Sequence, residues 1–265
     1  MPDLSASVST PAVPLRYRGV WQRTLLQTPE LRDTTTTVYW LQTAYWHADV
    51  RMPAERPDFR DVSSLAQCSP AQRAWLMQQQ GFAGTTAVTA GLKGEICTWY
   101  RMLDFQPPAA APDAGTMCFE PGRLVETGLD GSYFEHWAPV SGAVGPSAVL
   151  RRLHQGAPAT PDEWLLIAGE LVMHVRSRAR DWPAGTLPGS AFAALGAQAD
   201  TALLDFEIAF GRRTAKGWCI LHSTFPWNEG RQIAMTLDHR PGNTVRLCWE
   251  GCAAPWQVLE WTTAS

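Results

Sequence analysis

The sequence predicts an all-β protein made of two consecutive antiparallel barrels with one short helix. Three observations predict it. About a dozen segments of strand character follow one another at short spacing, a single helix is well signalled, and no alternation of strand and helix of the βαβ kind occurs. The stretch 141–147 (SGAVGPS), small and poor in apolar residues, divides the run, so the expected units are residues 17–143 and 144–265. Residues 1–16, rich in Ser, Thr, Pro and Ala, are expected to be a flexible tail.

Composition narrows the function classes. The chain of 265 residues carries a formal net charge of -3 with the signs mixed and no Lys/Arg run, which argues against a nucleic-acid partner. No window approaches the ~18 apolar residues of a membrane span, and residues 1–14 lack the basic and apolar regions of a secretory signal, so the expected setting is cytoplasmic, with no membrane partner. The six scattered cysteines are then expected to be thiols serving as small apolar side chains. Cys248 and Cys252 are close in sequence but lack a second pair or a nearby His, so no metal is assigned. Charged residues make up 18%, below the roughly 25% usual for globular proteins, whereas there are 13 Trp.

Taken in order, residues 19–26 (GVWQRTLL) form a first strand and Thr28-Pro29-Glu30 a turn. The next hairpin is central. Residues 34–41 make one strand, Gln42-Thr43-Ala44 the break, and residues 45–52 a second strand of period two. Tyr45, His47, Asp49 and Arg51 fall on one of its faces; Trp46, Ala48, Val50 and Met52 fall on the other. A helix starts at Ser69 as N-cap, with Pro70 in first position and Gln72 completing a capping box, and is expected to stop at Gly81.

Residues 95–105 return to strand, with Cys97, Trp99, Leu103 and Phe105 on a face that Arg101 interrupts, and residues 106–115 (QPPAAAPDAG) read as loop. Residues 123–129 and 132–137 flank Asp130-Gly131, whose positive-φ preference suits a type I′ hairpin turn. Beyond the divide, residues 148–154, 202–212, 217–225, 231–240, 243–249 and 256–262 read as strands. Residues 164–178 fit a helical stripe behind a good helix start, yet their β-formers and Gly169 favour strand.

Glu126-Thr127-Gly128, then Glu135-x-Trp137-x-Pro139-Val140, and later Leu165-Leu166-Ile167-Ala168-Gly169 resemble a family of double-barrel, lipocalin-like proteins known from fungi as partners of a casein kinase, with bacterial relatives. The likeness covers about a third of the chain, which is richer in Trp and has its own His47-x-Asp49-x-Arg51 row. It implies two lipocalin-like barrels and an interior cavity, and supplies no catalytic residues.

His47, Asp49 and Arg51 lie about 7 Å apart along one strand face. If that face looks inward, Asp49 could hold the His47 imidazole in one tautomer while Arg51 binds an anionic or carbonyl oxygen; if outward, the row is a solvated face of compensating charges. Glu135, between Tyr133 and Trp137 on one face of its hairpin, is either a desolvated acid or the partner of Arg123 or Arg101. The aromatic residues Trp40, Tyr45, Trp99, Tyr133 and Trp137, with His174 and His222, are candidates to line a ligand cavity, or else to fill a core.

The expected function is therefore binding of a small apolar or aromatic molecule in a Trp-rich cavity, with no cofactor. The alternative is a cofactor-independent isomerase, lyase, cyclase or hydrolase using His47, Asp49, Arg51 and Glu135. A third possibility is a scaffold whose barrel is closed and whose function lies on the outside. The direction of the Tyr45–Arg51 face separates them.

Overall fold

The structure, a computed structural model, describes residues 11–107, 112–154, 160–183, 186, 201–239, 243–249 and 251–263. The first sheet contains β1 (Gly19–Gln27), β2 (Arg32–Asp33), β3 (Thr37–Gln42), β4 (Trp46–Met52), β5 (Gln80–Gly91), β6 (Gly94–Asp104), β7 (Asp113–Glu120), β8 (Arg123–Gly128) and β9 (Phe134–Pro139). Sequential antiparallel pairing, closed by β9 on β1, makes a barrel of eight strands with β2 appended to the end of β1. The second barrel is closed by β10 (Ser147–Arg152), β11 (Glu163–Ala168), β12 (Leu171–Arg176), β13 (Glu207–Thr214), β14 (Gly217–Ser223), β15 (Gln232–His239), β16 (Thr244–Trp249) and β17 (Cys252–Thr262). Closure leaves neither barrel with a free sheet edge.

Helix α1 (Pro70–Leu76) carries the capping box: Gln72 N donates to Ser69 Oγ and Ser69 N donates to Gln72 Oε1. It ends earlier than expected. Gly81 is not its stop but a residue of β5, where a Cβ would lie 2.5 Å from Ile208 Cδ1 of the other barrel. A second short helix, α2 (Thr201–Leu204), occupies the start of the segment expected to be strand from 202.

Residues 164–178 are strand, but two of them: β11 and β12 turn at Gly169, whose φ of +58° an L side chain resists. The expected loop 106–115 is shorter, because β7 begins at Asp113; residues 108–111 lie outside the described residues. The tail is also shorter than expected. Val13 and Tyr17 are fully buried and Val13 N donates to the Ala44 carbonyl, while residues 1–10 lie outside the described residues.

The barrels share a core. The even face of β4 (Ala48, Val50, Met52) packs with Trp164, Leu166, Met173, Ile208 and Phe210 of the second barrel. Tyr39 stacks on Phe210 with centroids 4.3 Å apart, and Trp46 meets Trp164 edge to face at 5.1 Å. Every residue of β11 is buried, one face on its own barrel's interior and the other on the first barrel, which explains its unbroken apolar run. Fully burying a large apolar side chain contributes roughly 1.5–3 kcal/mol, so this joint outweighs the exposed ion pairs around it, worth ~0–1 kcal/mol each. Polar ties hold its edges: Glu260 of β17 accepts from Thr43 Oγ1 (2.7 Å) and from the amides of Ala44 (2.9 Å) and Tyr45 (3.1 Å). Arg178 donates to the carbonyls of Asp104, Phe105 and Leu203.

Candidate functional site

With the even face of β4 committed to the joint, period two sends His47, Asp49 and Arg51 into the first barrel. Register does the rest. Asp49 pairs across to Trp40 on one side and Phe82 on the other, and His47 to Gln42 and Gly84. On β6 a bulge between the Ala83–Leu103 and Gly84–Arg101 pairs shifts the alternation. Arg101 therefore joins Cys97 and Trp99 on the inner face, and Leu103 moves outward to the shared core. The expected interruption by Arg101 is instead a continuation.

The interior of the first barrel has two levels. At the mouth lies a cavity of about 480 Å³ lined by Arg23, Leu26, Asp33, Thr36, Arg51, Arg101, Asp113, Glu126, Tyr133 and Glu135, among others. Below it a recess of about 10 Å³, the size of one water, is bounded by Trp40, Asp49, Phe82, Trp99 and Trp137. Trp40 meets Trp99 and Trp137 edge to face at 5.4 and 5.8 Å. The tryptophans thus form a floor and fill the lower barrel, while the wall is charged rather than apolar.

Each arginine of the wall is engaged. Arg23 bridges Glu135 (2.8 Å) and Asp33 (3.0 Å). Arg51 Nε donates to Asp49 Oδ1 at 2.7 Å, and Arg101 spans Asp113 (2.6 Å) and Asp104 (3.1 Å) while its guanidinium lies 3.7 Å over the Phe82 ring. The partner of Glu135 is thus Arg23, not Arg123 or Arg101; Arg123 pairs with Glu120. The β1–β9 pairing that closes the barrel is what brings Arg23 there. Burial pushes the Asp33 carboxyl up, but hydrogen bonds from Thr36 and Thr35 outweigh it and hold it well below the usual range.

Glu126 is different, because no guanidinium or ammonium bonds to it among the described residues. It is buried, Oε1 accepting from Tyr133 Oη (2.9 Å) and Oε2 from Trp137 Nε1 (3.2 Å). Burial, then the neighbouring Glu135 and Asp113 charges, push its pKa up to about 8. Glu135 is also raised, by burial, against the pull of Arg51 and Arg23. Glu126 is a site residue that the sequence expectation does not include. The signal was present: in β8, Leu124, Glu126 and Gly128 alternate as one face, and Glu126 is the acid on it.

His47 is fully buried but does not touch Asp49, whose carboxylate Arg51 holds; the expected His47–Asp49 pairing is absent. Its partner is Thr86, with Nδ1 and Oγ1 3.0 Å apart. Proton directions follow from the chain of bonds. Gln42 Nε2 faces two carbonyls, those of Thr43 (3.1 Å) and Trp46 (3.2 Å), so Gln42 Oε1 accepts, from Trp40 Nε1 (3.2 Å) and from Thr86 Oγ1 (2.8 Å). The Thr86 proton is thereby used, so its oxygen accepts the Nδ1–H of His47. Nε2 carries a bare lone pair with no partner among the described residues. Burial, then the Arg101 charge, lower the His47 pKa to about 3, with the Thr85 carbonyl opposing, so the ring is neutral.

The remaining candidates lie elsewhere. Tyr45, 39% exposed, sits on the β3–β4 turn outside the cavity. His222 is in the joint, stacked on Tyr39 at 5.3 Å, because a register shift in β13–β14 turns it out of its barrel. His174 is inside the second barrel, 3.0 Å from Glu163 and 4.8 Å from the Trp249 ring. That interior is filled by Leu150, Leu165, Ile167, Trp218, Leu247 and Trp256. Tyr133, Trp137, Trp40 and Trp99 do meet, at the wall and floor of the first barrel. Among the described residues no group of three His, Cys, Asp or Glu is arranged to hold a metal ion.

No protein-family model and no curated protein matches the chain. A crystal structure of the uncharacterized protein YLR301w from Saccharomyces cerevisiae is similar, with a TM-score of 0.57 at 13% identity over 92% of this chain and 99% of that one. At that identity the likeness concerns the fold, a tandem of antiparallel barrels.

Proposed function

We propose that the protein binds a small molecule in the mouth of its first barrel, the ligand resting an apolar or aromatic part on the tryptophan floor and a polar part against the charged wall. The observation that carries this reading is the 480 Å³ cavity, within the size range of small-molecule sites, above the Trp40–Trp99–Trp137 cluster. A barrel built only for stability fills itself with side chains, and the described interior of the second one carries an apolar cluster of that kind. To the expected Trp-rich cavity for an apolar or aromatic molecule this reading adds a charged wall.

The test is tryptophan fluorescence during titration with a library of small aromatic and aliphatic compounds of all charge types. A saturable change that Leu26→Trp, a plug in the mouth, removes supports the reading. No change with any member counts against a ligand cavity.

A second reading, a cofactor-independent enzyme, is favoured by one observation: a carboxyl with a pKa near neutrality, Glu126, faces the same cavity. Here Glu126 would exchange a proton with the substrate, in place of the expected His47–Asp49–Arg51 set, because Asp49 is neutralised by Arg51 and His47 is too weak a base. Turnover that survives in Glu126→Gln would remove it.

A further inference from the structure

We infer that the first barrel takes a small organic cation, a protonated amine on a compact apolar or aromatic body, with Glu126 as its anionic counter-group; this rests on the small-molecule reading above.

The inference follows from counting donors and acceptors. Three guanidiniums, of Arg23, Arg51 and Arg101, stand among six carboxyl groups, those of Asp33, Asp49, Asp104, Asp113, Glu126 and Glu135. All three guanidiniums are paired with carboxylates, so an incoming carboxylate or phosphate would compete with those pairs for a charge already compensated. A cation would break none. Among the described residues Glu126 bonds only to the neutral donors Tyr133 and Trp137, and the Arg51 charge acts on it without a bond.

A second, separate observation points the same way. His47 Nε2, completely buried on the inner face of β4, is an acceptor with nothing to accept. It lies beside Phe82, which lines the recess under the cavity (ring centroids 5.5 Å apart). His47 itself lines neither the cavity nor the recess, so what it records is a missing donor in the packing next to them. A donor-rich cation suits the Glu126 carboxylate, which does line the cavity.

The binding is linked to a proton. The groups facing Glu126 are Tyr133, Glu135 and Trp137 from β9 and its preceding turn, Asp113 from β7, Arg51 from β4 and the Cys97 thiol from β6. At neutral pH the carboxyl must lose its proton to pair with an ammonium.

Three probes of one shape separate the possibilities: phenethylamine, 2-phenylethanol and 3-phenylpropionate, followed by titration calorimetry and by tryptophan fluorescence on the full chain. The expected result is that the amine binds at least tenfold more tightly than the alcohol, releases a proton at pH 7, and tightens between pH 6 and 8. Glu126→Gln should remove the advantage of the amine and leave the alcohol's affinity in place. Tyr133→Phe, which withdraws a donor from the ionised acid and keeps the ring, should shrink it at pH 7 and move the tightening to higher pH. Equal or tighter binding of the alcohol or the propionate overturns the cation class and leaves small-molecule binding standing. So does a response to neutral or anionic members of the wider library with none to the amine. No response to any compound overturns both.

Discussion

Gly115 stands against Glu126: a Cβ on Gly115 would lie 2.7 Å from Glu126 Cγ and 2.9 Å from Oε1. The inner face of β7 is stripped of a side chain there, and the buried acid fills the space. Gly115→Ala should therefore displace the carboxyl from Tyr133 and Trp137 and cost about 1–3 kcal/mol by overpacking. Denaturant unfolding measures the cost, and the near-ultraviolet signal of Tyr133 and Trp137 reports the displacement. An unchanged signal would mean that the acid is held by other contacts.

Glu126 also sets a pH dependence with a definite sign. Its folded pKa, about 8, lies above the ordinary carboxyl value, so between about 4.5 and 8 the folded state holds a proton that the unfolded chain has lost. Stability should fall as pH rises through that window, by an amount on the order of a few kcal/mol. Glu126→Gln should flatten this slope. Urea unfolding of both proteins from pH 5 to 9 decides it, and parallel slopes would refute the assignment.

Glu163 in the second barrel has the opposite sign. Burial raises its pKa, but bonds from His174 (3.0 Å) and Arg152 (2.6 Å) prevail and lower it to about 2. The stability it contributes is present above pH 4.5 and is lost as the pH falls toward 2. Glu163→Gln should thus reduce stability at pH 7 and make acid unfolding less steep, as followed by circular dichroism.

His47 should stay neutral with its proton on Nδ1 down to about pH 4, given the Thr86–Gln42 relay and its lowered pKa. Nitrogen-15 spectra of labelled histidine report both tautomer and charge. A proton found on Nε2 would show that the relay runs the other way, and titration near pH 6.5 that water reaches the ring.

Arg178→Met should cost several kcal/mol, because the carbonyls of Asp104, Phe105 and Leu203 each lose their donor and leaving a buried polar group unpaired costs about 1–3 kcal/mol. Thermal unfolding of the variant gives the measure. A loss within about 0.5 kcal/mol would mean that water replaces the guanidinium.

How much of the site was legible varies by residue. The period-two pattern of residues 45–52 put His47, Asp49 and Arg51 together before any coordinates did, since a strand has only two faces. Strands β5 and β7 were missed because their Gly, Ala and Thr content reads as turn material. They are small for a tertiary reason: Gly81 lies under Ile208 of the other barrel, and Gly115 makes way for Glu126. Arg101 was read as an interruption because a bulge, which one strand in isolation does not reveal, reverses the alternation after it.

Local periodicity and turn chemistry, both contained in short stretches of chain, were enough to determine an all-β protein with two runs of strands, the α1 capping box and the two-faced β4. Which face of β4 looks inward was decided only when two barrels packed on each other and claimed the even face. The partners Arg23–Glu135, Tyr133–Glu126 and His47–Thr86 likewise depend on barrel closure and register, which join residues up to 112 positions apart. Charge distribution in a cavity is a property of those long-range pairings, and for that reason the sequence supplied the acids and the arginines while the tertiary structure left one acid, Glu126, without a bonded cation among the described residues.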